Sequence, residues 1–379
     1  MDVILHSKYL ILFIKEIIKV MTEKNLILAI NPGSTSTKIA VYNGTEQLFL
    51  KNLKHSAEEL APFAKIADQY EFRKEIILKE VSEADFNLKE FKVIIGRGGL
   101  IKPVSSGVLE INEKMLEDLR QGREGQHASN LGGLIAYDIS QGIQGAKAVI
   151  ADPVVVDELS DFARISGHPL MPRKSVFHAL NQKAIARRYA KEVNKKYEEL
   201  NLIGVHLGGG ISVAAHNHGK VIDVNQALDG DGPFSPERSG TLPVNELIKV
   251  CFSGKYTEQE IKKMVVGAGG YVAYLGTNDA YQVECKAKEG DKKFEFIQEA
   301  MAYQISKEVG AMSTVLKGKV DAIFLTGGIA YSKPFVELLK ERIEFIAPVH
   351  VYPGEDEMGA LALNALMLIK GETKSIKYE

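Results

Sequence analysis

Residues 31 to 38, NPGSTSTK, bring backbone amides, hydroxyls, a carboxamide and an ammonium together in one short stretch. An anion such as phosphate needs that set of donors: Asn31, Ser34, Ser36 and Lys38 offer side chains, and Gly33 lets the backbone come close. A second cluster, HLGGGIS at 206 to 212, opens the backbone at Gly208, Gly209 and Gly210 and keeps a hydroxyl at Ser212. Either cluster alone reads equally well as a tight turn with no ligand. The pair reads differently, because Leu26 matches Leu202, Gly33 matches Gly209 and Ser36 matches Ser212 at one common offset. Two phosphate-type hairpins in one chain point to a duplicated domain with a nucleotide held by its halves.

Arginines come next. Arg97 in GRGG and Arg238 in ERSG both stand among glycines, where a guanidinium has little to pack against and can grip a carboxylate or phosphate with two bonds. Asp152 ends the apolar run KAVIAD and precedes a proline, the place at a sheet's carboxyl edge for a magnesium ligand or a catalytic carboxylate; capping a turn is the plainer reading. Asp279 in LGTND is a weaker candidate of the same kind. Among nine histidines, His127, His178 and His206 lie in motif-like settings, no pair has zinc spacing, and His216 and His218 read as solvent-facing. Asp229 and Asp231 read as turn formers, since Pro233 and Phe234 follow where a calcium loop would need oxygens. No GxxxxGK[ST] P-loop occurs, and Gly267-Ala268-Gly269-Gly270 does not complete a dinucleotide fingerprint.

The elements that must position these residues follow from periodicity. LILAINPGSTSTKIAVYNG at 26 to 44 and LIGVHLGGGISVAAHNH at 202 to 218 predict β-hairpins. Residues 56 to 90 predict surface helix, with Ser56 and Glu59 as a capping box. FKVIIGRGG at 91 to 99, KAVIADPVVV at 147 to 156 and VDAIFLTGGI at 320 to 329 predict strands that end at the candidate residues, where α/β folds place ligands. Each half thus runs hairpin, helices, a strand ending in Gly-Gly, a helix, and a strand ending in a proline turn. The second half carries an insertion that includes 228 to 243 and 257 to 318. The halves meet near residue 173, with the last helix crossing back to the first: an N-terminal domain at 25–173 and a C-terminal one at 174–379.

A chain of 379 residues can bury two cores, and 45% hydrophobic with 25% charged residues is ordinary globular composition. A net charge of −2 gives no reason for a nucleic-acid partner, and two cysteines are too few for a disulfide scaffold, so a reducing cytoplasm fits. Residues 1–24 read as an N-terminal extension. Charges at Lys8, Lys15, Glu16 and Lys19 leave no run long enough for a signal or membrane span, and a short amphipathic membrane or partner helix is the competing reading.

With these motifs in view, NPGSTSTK, HLGGGIS, ERSGTLP and TGGI together resemble the acetokinase family, within the actin, Hsp70 and sugar-kinase superfamily. GRGG, SGHP, FHALNQK and LDGDGPFSPERSG look most like its butyrate-directed branch, and the likeness covers roughly residues 25 to 370. The resemblance implies an α/β chain of two duplicated ribonuclease H-like (actin/Hsp70-type) domains around a nucleotide cleft. It implies ATP with Mg2+, a small carboxylate substrate carried reversibly to its acyl phosphate, no membrane partner, and a homodimer or larger assembly. Carried over residue by residue, phosphate and active-site contacts fall on Asn31, Ser34, Ser36 and Lys38, with Gly208, Gly209 and Gly210 in the second turn. Arg97 and Arg238 become the arginines facing carboxylate and phosphate, Asp152 the catalytic and metal-site aspartate, His178 the remaining active-site histidine, and Asp279, Gly327 and Gly328 nucleotide contacts. Relative to acetate kinases, Gly209 replaces an asparagine, Gln182 the transition-state histidine and Tyr331 a magnesium-site glutamate. A hydroxyl kinase on the same fold is the alternative, and there Asp152 would act as a base. An Hsp70-like ATPase module is a third reading, disfavoured because no peptide-binding β-domain follows residue 370.

Overall fold

The computed structural model describes residues 24–379, so the expected extension at 1–24 lies, all but its last residue, outside the described residues. The chain divides into two compact units. The first takes residues up to Gly99, Val108–Ile150 and Leu361–Glu379, and the second Leu100–Gly107 and Ala151–Ala360. The division thus falls after Ile150, one residue before the end of a strand, rather than near 173.

In the first unit, β1 (Leu26–Pro32) is buried along its whole length. Apolar side chains on both faces require a central strand, and β1 lies between β2 (Ser36–Asn43), antiparallel, and β4 (Phe91–Arg97), parallel. Ile27, Leu28 and Ile30 are fully buried, each contributing about 1.5–3 kcal/mol relative to an exposed position. β3 (Glu46–Lys54) pairs with β2 on the outer side. With β5 (Val108–Glu110), β6 (Lys147–Ala151) and β12 (Ile376–Lys377), the sheet order is β12-β5-β6-β4-β1-β2-β3. The predicted capping box at Ser56 and Glu59 is present. The helix Tyr70–Glu83 buries Arg73, Ile77 and Val81, one side chain per turn. Glycines let the helix Asn130–Gln141 lie directly on β4: a Cβ at Gly96 would sit 2.1 Å from the Gly132 carbonyl oxygen.

The second unit is built on β7 (Asn201–Leu207), β8 (Ile211–Asn217), β9 (Lys220–Val224), β10 (Ala322–Gly327) and β11 (Val349–Pro353), in the order β11-β10-β7-β8-β9. That order repeats β6-β4-β1-β2-β3 of the first sheet, and in both the hairpin is antiparallel while the next long strand joins parallel. One face is covered by the helix Lys292–Val315, whose Met301, Ile305, Val309 and Met312 share a core with Val205, Val213 and Leu325. The other face takes the helix Ala179–Glu192, with Ala186, Tyr189 and Ala190 against Leu202, Ala322 and Phe324. Helices on both faces of a mixed sheet are the doubly covered α/β arrangement. Between β9 and β10 the insertion folds as helices, and the turn at 226 to 232 is held by Asp229 and Asp231, which accept from the Gln226 side chain and backbone.

His216 corrects an expectation. It is fully buried rather than solvent-facing, because both faces of β8 are covered as far as His216. Its Nδ1 lies 2.6 Å from the Tyr197 hydroxyl and its Nε2 2.9 Å from Gln182 Oε1, which fits a neutral ring accepting at Nδ1 and donating at Nε2. Burial, then the charge of Lys183, holds this imidazole well below its ordinary range. Burial and Arg73 act on His55 in the same direction. A histidine with a depressed folded pKa binds fewer protons than in the unfolded chain. Its stabilisation is therefore present above about pH 6.5 and lost as pH falls. The parent Tm should fall by several degrees between pH 7 and pH 5, and His216→Gln should start lower but fall less; equal slopes in a calorimetric pH series would exclude His216 as a source.

Candidate active site

The first hairpin turn carries its donors as the sequence implies. Register pairs Asn31 with Lys38 and Pro32 with Thr37, so residues 33 to 36 form the bend, closed by Gly33 N–H to Ser36 carbonyl at 2.7 Å. Ser34 and Lys38 are exposed, Ser36 half-buried, and Asn31 buried. Arg97, the last residue of β4, donates from Nη1 towards Asn31 Oδ1 at 3.4 Å, bringing the GRGG arginine to this turn. Behind the turn lies a residue that sequence reasoning missed. Arg73, 1% exposed, donates to the carbonyl oxygens of Gly33, Ser34 and Ser36. Burial lowers its pKa to about 10, which leaves it charged at neutral pH. The signal was there: Arg73 stands at the same helical position as Ile77 and Val81, where a core residue belongs.

The second turn, 208 to 210, links β7 and β8 and is closed by Gly208 N–H to Gly210 carbonyl. Arg238 lies against it. A Cβ at Gly210 would sit 1.9 Å from Arg238 Nη1, so this glycine is what lets the guanidinium occupy the space beside the turn. Ser235 reinforces the arrangement: its Oγ donates to the Gly209 carbonyl at 2.5 Å and accepts from the Arg238 N–H at 3.2 Å. Arg238 also donates to the Ala227 carbonyl. Burial pulls the guanidinium below its ordinary range, while Glu237 and Asp229 act the other way.

His178 is half-buried, 2.9 Å from Ser212 Oγ, and stacks on His206 with ring centroids 3.7 Å apart. His206 bridges Asn181 Oδ1 and Glu355 Oε1, each at 2.9 Å, beside Gly208. Sequence reasoning found His206 in a motif-like setting but did not pair it with Glu355, which is distant in the chain. Gln182 is fully buried and donates to the Ser212 carbonyl and hydroxyl, so it braces β8.

Asp152 follows β6 with φ of 38°, a left-handed backbone that costs a non-glycine residue about 1–3 kcal/mol and gathers at functional sites. Its Oδ1 accepts from Ser106 Oγ at 2.6 Å and Gly107 N–H at 2.8 Å, and its Oδ2 from Arg187 at 3.2 Å. The carboxylate is covered by these donors. Among the described residues no group of three or more His, Cys, Asp and Glu side chains converges as a cation cage. Asp152 therefore offers an ion at most the remaining acceptor capacity of Oδ2. Ser106 and Arg187 were not foreseen.

Asp279 and Gly328 share one cavity of about 450 Å³ with Tyr271, Glu284, Gln298 and Tyr331. Asp279 caps the helix Ala280–Lys288 by accepting from the Tyr281 and Gln282 N–H groups. Gly327 pairs with Gly354 beside it. Tyr331 stands 70% exposed on the cavity wall.

The model of the acetokinase family matches residues 168–347. Butyrate kinase 2 of Clostridium acetobutylicum is 54% identical over 353 residues, 93% of this chain and 99% of that protein. The chain belongs to the acetokinase family. Butyrate kinase 1 of the same organism is 56% identical over the same share of each chain. A probable butyrate kinase of Bacteroides thetaiotaomicron is 56% identical over 346 residues, 91% of this chain and 98% of that one. Among solved structures, the acetate kinase of Porphyromonas gingivalis superposes with a TM-score of 0.73 at 18% identity, covering 91% of this chain and 100% of its own. A propionate kinase from Francisella tularensis gives 0.71 at 19%, covering 90% and 98%. At such identities these structures show the fold: two duplicated actin/Hsp70-type domains, as expected of an acetokinase.

Gly210→Ala should displace Arg238 without touching the sheet. A misplacement of about an ångström costs up to ~100-fold in rate, so kcat should fall about tenfold or more while Tm stays within a few degrees; parent kcat would mean that Arg238 does not need this space.

Proposed function

We propose that this acetokinase moves the γ-phosphoryl group of ATP onto the carboxylate of butyrate, giving butanoyl phosphate and ADP, reversibly. The near full-length likeness to butyrate kinases supports the substrate. The observation that carries the chemistry is the Arg238 guanidinium lodged against Gly210, a fixed positive charge beside the glycine turn.

The acid needs no base. A short-chain carboxylic acid, with a pKa of about 4–5, is ionised at neutral pH and attacks phosphorus directly. One oxygen of the carboxylate forms the new P–O bond as the bond to the ADP oxygen breaks, and ADP leaves with the electron pair. The obstacle is that two anions approach while charge spreads over the transferring oxygens, so preorganised cations and amides carry the catalysis. In this reading Arg97 grips the acid. Lys38 and Arg238 neutralise the phosphoryl group, with His178 beside it. Asn31, Ser34 and Ser36 of the first turn and Gly208, Gly209 and Gly210 of the second donate to phosphate oxygens. Asp279, Gly327 and Gly328 frame the nucleoside in the 450 Å³ cavity.

Asp152 would hold the magnesium of MgATP through Oδ2, where the ion would supply positive charge to the phosphate oxygens. A homodimer or larger assembly belongs to the same reading. It is supported by Phe162, Leu170 and Phe252, each more than four-fifths exposed, which is unusual for side chains of that size. A reducing cytoplasm suits the free thiols of Cys251 and Cys285.

The test is an assay trapping acyl phosphate as hydroxamate, with ATP, magnesium and straight acids of about two to six carbons, whose steps of one methylene are worth ~1–3 kcal/mol each. Butyrate should give the highest kcat/KM; no hydroxamate above the acid-free blank would end the assignment. Arg238→Ala should lower kcat by about 100-fold or more, the scale of losing a preorganised donor, and a loss under about threefold would remove it from the phosphoryl site. Arg97→Ala should raise KM for butyrate, so an unchanged KM would place the acid elsewhere.

A further inference from the structure

The buried Arg73 has no place in the reaction as derived above, yet its contacts run to the turn that the reaction depends on. Its guanidinium donates from Nη1 to the Gly33 carbonyl at 2.7 Å, the Ser36 carbonyl at 3.0 Å and Thr37 Oγ1 at 3.1 Å. Nη2 reaches the Ser34 carbonyl at 3.0 Å. Gln69 Oε1 takes the rest, 2.7 Å from Nη2 and 3.2 Å from Nε. Every one of these partners is neutral. A guanidinium buried among carbonyls is an expensive core residue, and a Met or Leu would fill the stripe above Ile77 and Val81 more stably.

What the charge achieves is directional. A trans peptide sends its N–H opposite to its C=O, and no peptide bond described here is cis. Pulling the carbonyls of Gly33 and Ser34 down onto Arg73 therefore turns the N–H groups of Ser34 and Thr35 away from it, on residues that are exposed. Without a donor beneath, those carbonyls would compete for the outer face and repel an anion there.

We propose that Arg73 is the positioning residue of the first phosphate turn, holding its carbonyls inward so that its amides, hydroxyls and Lys38 face the ATP phosphates. This rests on the reading of that turn as a phosphate site. Arg73 touches no substrate; it acts through the backbone of residues 33 to 37. Its planar fork is the property required, because only a guanidinium spans three carbonyls and a hydroxyl at once, and the ammonium of lysine is a point charge.

The test compares Arg73→Lys, Lys38→Ala and the parent full-length chain for kcat, KM for MgATP, KM for butyrate and Tm. The expected result for Arg73→Lys is a loss in kcat/KM for MgATP of about tenfold or more, as for a misplaced contact, with KM for butyrate within about twofold and the protein folded at the assay temperature. Parent-like MgATP kinetics in Arg73→Lys together with impaired Lys38→Ala would overturn the role of Arg73 alone. Parent-like kinetics in both variants would overturn the phosphate reading of the turn and Arg73 with it. If Arg73→Lys does not fold, Gln69→Met decides, since it removes an anchor of the guanidinium and keeps the charge. A rise of about threefold or more in KM for MgATP alone upholds the proposal, and parent kinetics reject it.

Discussion

A backbone turn that offers its amides to an anion must hide its carbonyls, and every carbonyl taken out of water needs a donor. Both hairpin turns meet that demand, each in its own way. In the first, Arg73 rises from the helix Tyr70–Glu83 and takes the carbonyls of Gly33, Ser34 and Ser36. In the second, Ser235 takes the Gly209 carbonyl, and the Gly210 carbonyl closes on Gly208. The same loop that supplies Ser235 delivers Arg238, so satisfying the turn and charging it are one structural act.

The repeated strand order explains why the two turns exist. A hairpin whose first strand is central has its bend at one end of the sheet, where parallel neighbours also end. In the first unit that neighbour is β4, ending at Arg97; in the second it is β10, ending at Gly327. Candidate residues far apart in sequence therefore collect at a sheet end in each unit. The copies have diverged in support: the second sheet carries a buried polar chain from Tyr197 through His216 and Gln182 to Ser212, whereas β2 keeps Ser36 at the offset of Ser212 but has Ala40 at the offset of His216.

Much of this was legible because it is local. Apolar runs interrupted by Gly, Ser and Thr fix a hairpin and its bend, so NPGSTSTK and HLGGG could be read as turns and GRGG and TGGI as strand ends. What escaped depends on contacts across the chain. His216 looked solvent-facing because the residues around it, His216-Asn217-His218, are polar; only the central place of β8 between β7 and β9, with packing on both its faces, buries it. Arg73 looked like one more charge on a charged helix. Ser106 and Arg187 became partners of Asp152 only through the fold. The division at Ile150 was missed for a related reason: the segment from Asp152 to Arg173 lacks a strand of its own and is assigned by packing, with Val156, Leu159 and Ala163 in a core with Ala214, Val221 and Val224.

The backbone of Asp152 carries one more implication. A left-handed residue directly after β6 is a position where glycine would be relaxed, and aspartate there gives up about 1–3 kcal/mol of folding free energy. A lineage shaped by thermal endurance alone would drift to glycine at this point and lose the carboxylate with it. Relieving the strain at 152 with glycine would therefore remove the carboxylate that the proposed reaction assigns to the metal, so that in this reading endurance and turnover pull on the same side chain in opposite directions.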